Sequence, residues 1–207
     1  TTEIYTLSLH DALPIYEKTK RLTSQMHKAI AIIQFKIEGQ LIAKHPEWKM
    51  DKRRLFEHIN YEKKEIEIDG KIYPMTSCHF PTINPASPYE LSPEEIVLMA
   101  KLHHSFMVCE KLHKHIKVML QHGCMYTIIN DNLLFHASCP LNEDGSLKEV
   151  EIFPGKKFAG RDLMHQTGMQ IRTAFQSDSD PKEREYAIDY FIYLWCGPDS
   201  PLFEQIG

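Results

Sequence analysis

His136 is the residue whose type and position most resemble those of a metal ligand. It follows a short apolar run, Leu133–Phe135, and precedes the small residues Ala137 and Ser138. A neutral imidazole at the end of a buried strand can direct one ring nitrogen into a cleft, and many metal ligands are presented in this way. The residues alone favour a core histidine, because a metal ligand needs partners and none with recognisable spacing lies nearby. Both interpretations stay open at this point.

A second candidate is a segment rich in histidine between residues 103 and 122. Cys109 and His113 are four residues apart, so on a helix they would share one face and could begin a zinc site. No second pair of ligands with recognisable spacing follows. We therefore favour solvated and half-buried helix residues for the whole set, which comprises His103, His104, Cys109, His113, His115 and His122.

Three further features could carry chemistry, and each has a simpler explanation. Cys139 beside Pro140 could be a nucleophile, but no base lies in an identifiable order around it, so a small buried residue is favoured. Two basic groups could hold a phosphate. Runs of charge are usually solvated surface, which is the favoured interpretation of both groups: Lys49, Lys52, Arg53 and Arg54, and Lys156, Lys157 and Arg161.

The elements that must position these residues begin with a long amphipathic helix. Its apolar stripe runs from Leu22 to Leu41, and it ends near His45-Pro46 because a residue before proline avoids helical geometry. In residues 65–73, charged and apolar residues alternate before Asp69-Gly70, and Lys71-Ile-Tyr follows it. This pattern predicts a hairpin with its turn at Asp69-Gly70. Four prolines between residues 80 and 93 predict an irregular loop.

Ser92-Pro93-Glu94-Glu95 then predicts the start of a second long helix, with an N-cap, a first-turn proline and a capping-box glutamate. This helix should reach about His122, with Gly123 as its stop. Its predicted buried stripe is Ile96, Met99, His103, Phe106, Leu112, Ile116 and Met119. Hairpins follow over residues 124–137, with His136 near the end, and over 150–158, and helices over 161–175 and 182–195. Helices with short hairpins predict an α+β fold.

Composition narrows the classes of partner. No apolar run approaches the roughly 20 residues that span a bilayer, so we expect no membrane span. A net charge of −4 gives no basic field for a nucleic-acid backbone, although a small anionic substrate remains compatible. Five cysteines form an odd set with no paired spacing, and no export signal is evident, so a reducing cytoplasm is expected.

The first fifteen residues resemble an in-frame translation of a common sequencing adapter. We therefore expect residues 1–15 to lie outside the fold, as processing scars do; an ordinary N-terminal strand and loop is the alternative. The final residues 204–207 are interpreted as possible read-through. The remaining residues, 16–203, are then expected to be an internal piece of a longer protein.

Several long segments resemble one family in the same order: His27 to Gln40, Asp131 to His136 with Pro140 to Gly145, and Tyr193 to Gly197 with Ser200 to Phe203. They are similar to class III bacterial fructose-1,6-bisphosphatase over nearly all of residues 16–203. This resemblance implies a metallophosphatase (calcineurin-like) core carrying a large, mainly helical insertion. It divides the chain into an insertion at about 16–122, a core hairpin at about 124–140 and a helical remainder at 141–203.

The resemblance also implies an activity. The intact enzyme would be a phosphoric monoester hydrolase that converts fructose 1,6-bisphosphate to fructose 6-phosphate in gluconeogenesis, with two metal ions, manganese being expected, and a bridging hydroxide. Of the family's metal-binding motifs only the strand-borne histidine has a match, so the role of metal ligand is carried to His136. The following residue is usually glycine, whereas here it is Ala137.

Because the other motifs are missing, residues 16–203 alone are expected to be inactive. The competing hypothesis is a non-catalytic helical module that docks another protein through its amphipathic helices. The sequence leaves the catalytic and substrate-binding residues, the oligomeric state and any effectors open.

Overall fold

The computed structural model describes residues 13–203, with side chains from Lys20 onward. Predictions for residues 1–12 and 204–207 therefore lie outside the described residues. This part of the chain contains five α-helices and three small antiparallel sheets, one of three strands and two of two strands. The α+β class is thereby confirmed. Residues 13–15, which we expected to lie outside the fold, are the first residues of a helix.

Helix α1 spans Leu13–Lys44, and its end before Pro46 agrees with the prediction. Among its side chains from Lys20 onward, the buried ones lie in the C-terminal half of the helix and include Ile32, Ile33 and Ile42. The N-terminal part of the apolar stripe, including Leu22 and Met26, is exposed. Three short 3-10 turns follow, at Pro46–Trp48, Asp51–Arg53 and Leu55–His58.

The first sheet has three antiparallel strands, β1 (Ile59–Asn60), β2 (Glu65–Ile68) and β3 (Lys71–Pro74). Asp69 and Gly70 both have positive φ, 49° and 74°, and join β2 to β3. Two successive positive φ values give the turn whose twist matches that of a two-stranded ribbon. This predicted hairpin is confirmed, while β1 was not predicted. The proline-rich loop is irregular, as expected.

The second long helix was predicted as one element and is two, α2 (Pro93–Met107) and α3 (Glu110–His122). Its capping box at Ser92 and Glu95 is present, and Gly123 follows its last residue. The break falls at Val108 and Cys109, two residues with modest helix propensity, and Cys109 takes an extended conformation as the N-cap of α3.

The apolar stripe predicted to be buried on this helix is largely exposed. Ile96, Phe106 and Met119 are each more than half accessible. The prediction of burial was wrong because periodicity shows which residues share a face, whereas burial needs a second element packed on that face.

The rest of the chain agrees with the prediction. Strands β4 (Tyr126–Ile129) and β5 (Asn132–Phe135) form one hairpin, and β6 (Val150–Phe153) and β7 (Lys156–Phe158) form another. Helix α4 spans Gly160–Phe175 and helix α5 spans Pro181–Cys196. Asp180 is the N-cap of α5. Within residues 13–203 no helix is long and apolar enough to cross a membrane.

Two hydrophobic clusters hold these elements together. The larger joins the end of α1, the segment that follows it, β6, α4 and α5, and its members are Ile42, Trp48, Met50, Val150, Ile152, Leu163, Tyr190, Tyr193, Leu194 and Cys196. The smaller joins α1 to the third 3-10 turn and the proline-rich loop through Ile32, Phe56, Ile83 and Tyr89, and Ile59 of β1 packs against it. Neither cluster includes a residue of β2, β3, β4, β5, α2 or α3, so buried apolar contact supports these elements less than the others.

Candidate functional site

The β4–β5 hairpin is built around a two-residue turn that places His136 at its base. Asn130 and Asp131 have φ values of 50° and 62°, so Asn132 already belongs to β5. The register pairs Tyr126 with Phe135. His136 therefore directly follows the last paired residue of the strand, where the sequence placed it.

The loop after His136 is fixed to the C-terminal segment. The Ser138 hydroxyl donates to the Ser200 carbonyl at 3.1 Å, and the Ser138 backbone N–H donates to the Pro201 carbonyl at 3.5 Å. Ser200 is itself buried and donates to the Leu194 carbonyl of α5 at 2.8 Å. The position of His136 relative to α5 is thus set by hydrogen bonds as well as by the strand.

Ala137 has a φ of 59°, in the left-handed region. A residue with a Cβ atom is disfavoured there, and glycine is the usual occupant. The backbone therefore gives a physical reason for the glycine that the resemblance leads one to expect after this histidine, and it shows that alanine is accommodated at some cost.

His136 is exposed, and it makes no hydrogen bond to another described residue. No group of three or more His, Cys, Asp or Glu side chains that could hold a metal ion occurs in the described part of the chain. One imidazole does not make a two-metal site, so these residues do not provide a ligand set for manganese. The role of His136 as a ligand stays a prediction.

The histidine-rich segment is solvated, in agreement with the favoured interpretation. Its six candidates are all exposed and are distributed over α2, the break and α3: His103, His104, Cys109, His113, His115 and His122. Cys109 and His113 keep their four-residue relation, since the His113 N–H donates to the Cys109 carbonyl at 3.1 Å. No further ligand among the described residues joins them.

Cys139 is half-buried and lines a cleft of about 510 Å³ between the hairpin and α4. The walls are mostly apolar, with Tyr126, Phe135 and Met164 among them and Arg161 as a basic group. No His, Asp or Glu lines this cleft. A general base for Cys139 is therefore absent from it, which agrees with a packing role.

The first basic group is largely neutralised by carboxylates. Lys52 pairs with Asp69 at 2.8 Å, and the hydrogen bond from Lys52 holds the pKa of Asp69 below its usual range. Arg53 pairs with Glu38, and Arg54 pairs with Glu57 at 2.6 Å. The second group is exposed, and Lys156 lies over the Phe153 ring. Neither arrangement forms a phosphate cradle.

The structure also shows a buried charge pair that the sequence analysis missed. The Lys36 ammonium is inaccessible and donates to Glu95 at 2.7 Å and to the Thr82 carbonyl at 2.5 Å. Glu95 also accepts from the Ser92 N–H at 2.8 Å. Burial opposes ionisation of Glu95, yet these partners outweigh burial and hold its pKa below the ordinary value. Lys36 is four residues after Ile32, a spacing that could have flagged it.

A second buried carboxylate, Glu38, lies beside α5. Its Oε1 accepts from Arg53 and lies 3.8 Å from the Cys196 sulfur, whereas its Oε2 has no hydrogen-bond partner among the described residues. Burial, assisted by the neighbouring Glu38 carboxylate, raises the pKa of Cys196 to about 11. Cys196 is consequently a thiol at neutral pH and is not an activated nucleophile.

The fold and the site together define a class of protein: an α+β segment that presents a single histidine at the end of a hairpin, without the partners that would complete a metal centre. The model of the Firmicute fructose-1,6-bisphosphatase family matches residues 1–206. The chain belongs to this family. The match includes residues 1–15, whose origin stays a prediction.

Individual relatives agree with this assignment. The chain is 50% identical over 189 residues, 91% of its length, to a protein of Phocaeicola vulgatus named fructose-1,6-bisphosphatase class 3. Proteins with the same name from Porphyromonas gingivalis and Clostridium novyi are 49% and 46% identical over 189 and 185 residues, 91% and 89% of the chain. The aligned part is 28% of the Phocaeicola vulgatus protein, 29% of the Porphyromonas gingivalis protein and 28% of the Clostridium novyi protein. The chain therefore spans less than a third of the length of these relatives. No solved structure matches the chain.

Proposed function

We propose that the intact protein to which this chain corresponds hydrolyses fructose 1,6-bisphosphate to fructose 6-phosphate and phosphate. The observation that carries the proposal is the identity of 46 to 50%, spread over 185 to 189 residues, with relatives named for this activity. Sequence identity of that extent is far more specific than a match to a short motif. A place in gluconeogenesis and a cytoplasmic location belong to the same proposal.

His136 is proposed to be one ligand of a manganese site in a metallophosphatase core. Three observations support it: the imidazole is exposed, it ends a strand, and its loop is tied to α5 through Ser138 and Ser200. Manganese would supply Lewis-acid activation when bound. Since the described residues offer one imidazole and no ligand set, no catalytic step is assigned to this chain.

The chain by itself is expected neither to hold the metal pair nor to turn over substrate. A non-catalytic docking module would expose apolar helix faces too, so the exposure of α2 and α3 does not choose between the two functions. Similarity to the named enzymes continues across both helices and both C-terminal hairpins, and it favours the enzyme.

A chimaera tests this proposal. The 189 matching residues of the Phocaeicola vulgatus relative are replaced by the corresponding residues of this chain, and manganese-dependent phosphate release from fructose 1,6-bisphosphate is measured. We expect the chimaera to be active and His136→Ala to lower kcat/KM by on the order of 100-fold or more, because ligand loss should exceed the 10- to 100-fold cost of losing an outer-shell partner.

His122→Ala is the matched control, since His122 is an exposed histidine outside the proposed centre. It should leave the rate unchanged. A folded chimaera that releases no phosphate would refute the proposed activity. Turnover by the isolated chain would refute its expected inactivity, and an unaffected His136→Ala chimaera would refute the role given to His136.

A further inference from the structure

His45 is a buried titratable residue that has no part in the proposed activity. It directly follows α1 and precedes the first 3-10 turn, and only 6% of it is accessible. Its Nδ1 lies 3.0 Å from Oε1 of Glu47 in that turn, and its Nε2 lies 3.0 Å from Oδ2 of Asp189 in α5. The imidazole therefore lies between two carboxylates that come from different elements.

The form of the His45 ring decides whether both contacts are hydrogen bonds. A carboxylate oxygen accepts hydrogen bonds and has no hydrogen to donate. The neutral imidazole carries a single N–H, so it can donate to one carboxylate and must turn a lone pair toward the other. Only the imidazolium donates from both nitrogens, and it alone completes both contacts.

The aromatic neighbours of His45 hold the ring in this position. The ring stacks on Trp48, with centroids 4.1 Å apart and an interplanar angle of 16°, and Tyr186 meets it edge-on at 5.1 Å. The Trp48 indole N–H donates to the Tyr186 hydroxyl, which donates to the Ile152 carbonyl of β6. The face of an indole attracts a cation, so the stack also favours the protonated ring.

The charges around His45 act in the same direction. Lys44, the last residue of α1, pairs with Asp189 at 2.6 Å and also with Glu185 of α5. With Glu47, three carboxylates therefore share one ammonium among the described residues when the imidazole is neutral. A second positive charge on His45 reduces this excess of negative charge.

The other groups at this joint keep their charge near neutral pH. Burial raises the pKa of Tyr186 to about 12, and Glu151 of β6 is a further carboxylate that acts on this phenol. The hydrogen bond to Asp189 raises the pKa of Lys44. Histidine is the side chain whose charge ordinarily changes between pH 5 and 8, so His45 is the group through which pH can act on this joint.

We infer that His45 is a proton-dependent clamp between the end of α1 and α5. When the ring carries both hydrogens, it donates to Glu47 and to Asp189 and closes the joint. When it loses one, one carboxylate is left without its donor and the joint is weakened. The clamp therefore stabilises the fold fully at mildly acidic pH, and its contribution is lost as rising pH removes the proton. Because α1 extends from this joint to the smaller cluster, the clamp controls how firmly the two clusters are attached.

The ring hydrogens of His45 test the clamp in the unmodified chain. At pH 6, proton NMR should show two His45 ring N–H hydrogens in slow exchange with water, assigned by their contacts to the Trp48 ring, because both are buried and hydrogen-bonded. His165 in α4 is exposed and should show none. Fewer than two protected hydrogens on His45 would overturn the inference.

Trp48 fluorescence tests the effect of the clamp on stability. The chain has two tryptophans, so Trp195→Phe leaves Trp48 as its only indole. In this background, urea unfolding is measured at pH 5.5 and pH 8.5 with His45 and with His45→Gln, which is neutral throughout. From the lower to the higher pH, the unfolding equilibrium constant should rise about 10-fold more with His45 than with glutamine, since a hydrogen bond to a charged group is worth roughly that factor.

His165→Gln is the matched control, and it should keep the full pH response. Equal responses with His45 and with His45→Gln would overturn the inference, and so would loss of the response in His165→Gln. If His45→Gln does not fold, the ring hydrogens of the unmodified chain decide the outcome. Neither measurement uses catalytic activity, so this inference and the proposed function can fail independently.

Discussion

At the scale of single residues, the backbone at Ala137 is the clearest departure from what its side chain prefers. Its φ of 59° brings Cβ close to the following carbonyl, which costs roughly 1–2 kcal/mol in L-residues. The conformation persists because the hairpin fixes one side of Ala137 and the hydrogen bonds of Ser138 fix the other. The proposed ligand, His136, is therefore held next to a strained residue.

Ala137→Gly is expected to stabilise the chain by about 0.5–1 kcal/mol, because removing Cβ relieves more strain than the added freedom of the unfolded chain costs. The urea midpoint would rise with an unchanged slope. Ala43→Gly in α1 is the control, with an expected loss of similar size, since glycine is unfavourable in a helix. A loss of stability at both positions would show that residue 137 is not strained.

The buried pair of Lys36 and Glu95 should make stability depend on pH at the acid end. The pKa of Glu95 is lower in the folded state than its ordinary value of about 4.5. The stabilisation that its carboxylate gives the folded state is therefore complete above that ordinary value, and it is lost as the pH falls through the folded-state pKa. We expect Lys36→Met to destabilise by roughly 3–5 kcal/mol at pH 7, because Glu95 would remain buried without its partner.

Glu95→Gln keeps the side chain at the helix start and removes the charge. The double variant Lys36→Met/Glu95→Gln should recover part of the loss, and its urea midpoint should fall less between pH 7 and pH 4 than that of the unmodified chain. Additive effects of the two substitutions would contradict a coupled pair.

At the scale of elements, close packing between α1 and the proline-rich loop depends on one glycine. A Cβ atom at Gly39 would lie 2.2 Å from ring atoms of Tyr89, which is too close without movement of the helix or the ring. In an exposed helix the same change would stabilise by about 1 kcal/mol. At Gly39 we expect the opposite effect, a loss of stability.

Gly39→Ala is expected to destabilise by roughly 1–3 kcal/mol, the usual range for an overpacked core. Gly168→Ala in α4 is the matched helical control, because its Cβ would meet mainly the flexible end of Arg172, at 3.2 Å. That variant should be neutral or stabilised, as measured by thermal or urea unfolding. A stabilised Gly39→Ala variant would mean that Tyr89 is not packed against α1 as described.

The sequence predicted the helices and hairpins better than it predicted which of their residues are buried or paired with distant residues. Turn chemistry at Asp69-Gly70 and the capping box at Ser92 are local, so the hairpin and the helix start could be read directly. Burial of Ile96 and the pairing of Lys36 with Glu95 depend on residues distant in sequence, and periodicity carries no information about them. The position of His136 was predictable from its strand, whereas its role as a ligand stays a prediction, because no ligand group forms among the described residues.

At the scale of the whole molecule, the elements differ in how much buried apolar contact holds them in place. The larger cluster encloses α4, α5 and β6, whereas α2, α3 and the β4–β5 hairpin lie outside both clusters. Local stability follows buried apolar contact, and segments without it open at much lower free energy than the global transition. The isolated chain should therefore not unfold as one cooperative unit.

Hydrogen exchange measures this directly. In the isolated chain, amides of α4, α5 and the C-terminal half of α1 should be the slowest to exchange, while those of α2, α3 and β4–β5 should exchange orders of magnitude faster. In the chimaera with the Phocaeicola vulgatus relative, amides of β4–β5 should exchange more slowly than in the isolated chain if other parts of that protein pack against the hairpin. The α4–α5 helices supply an internal reference, since they are packed in both contexts. Equal protection of the hairpin and α5 in the isolated chain would show that the hairpin is stable without the rest of the protein, and the uneven support described above would then be wrong.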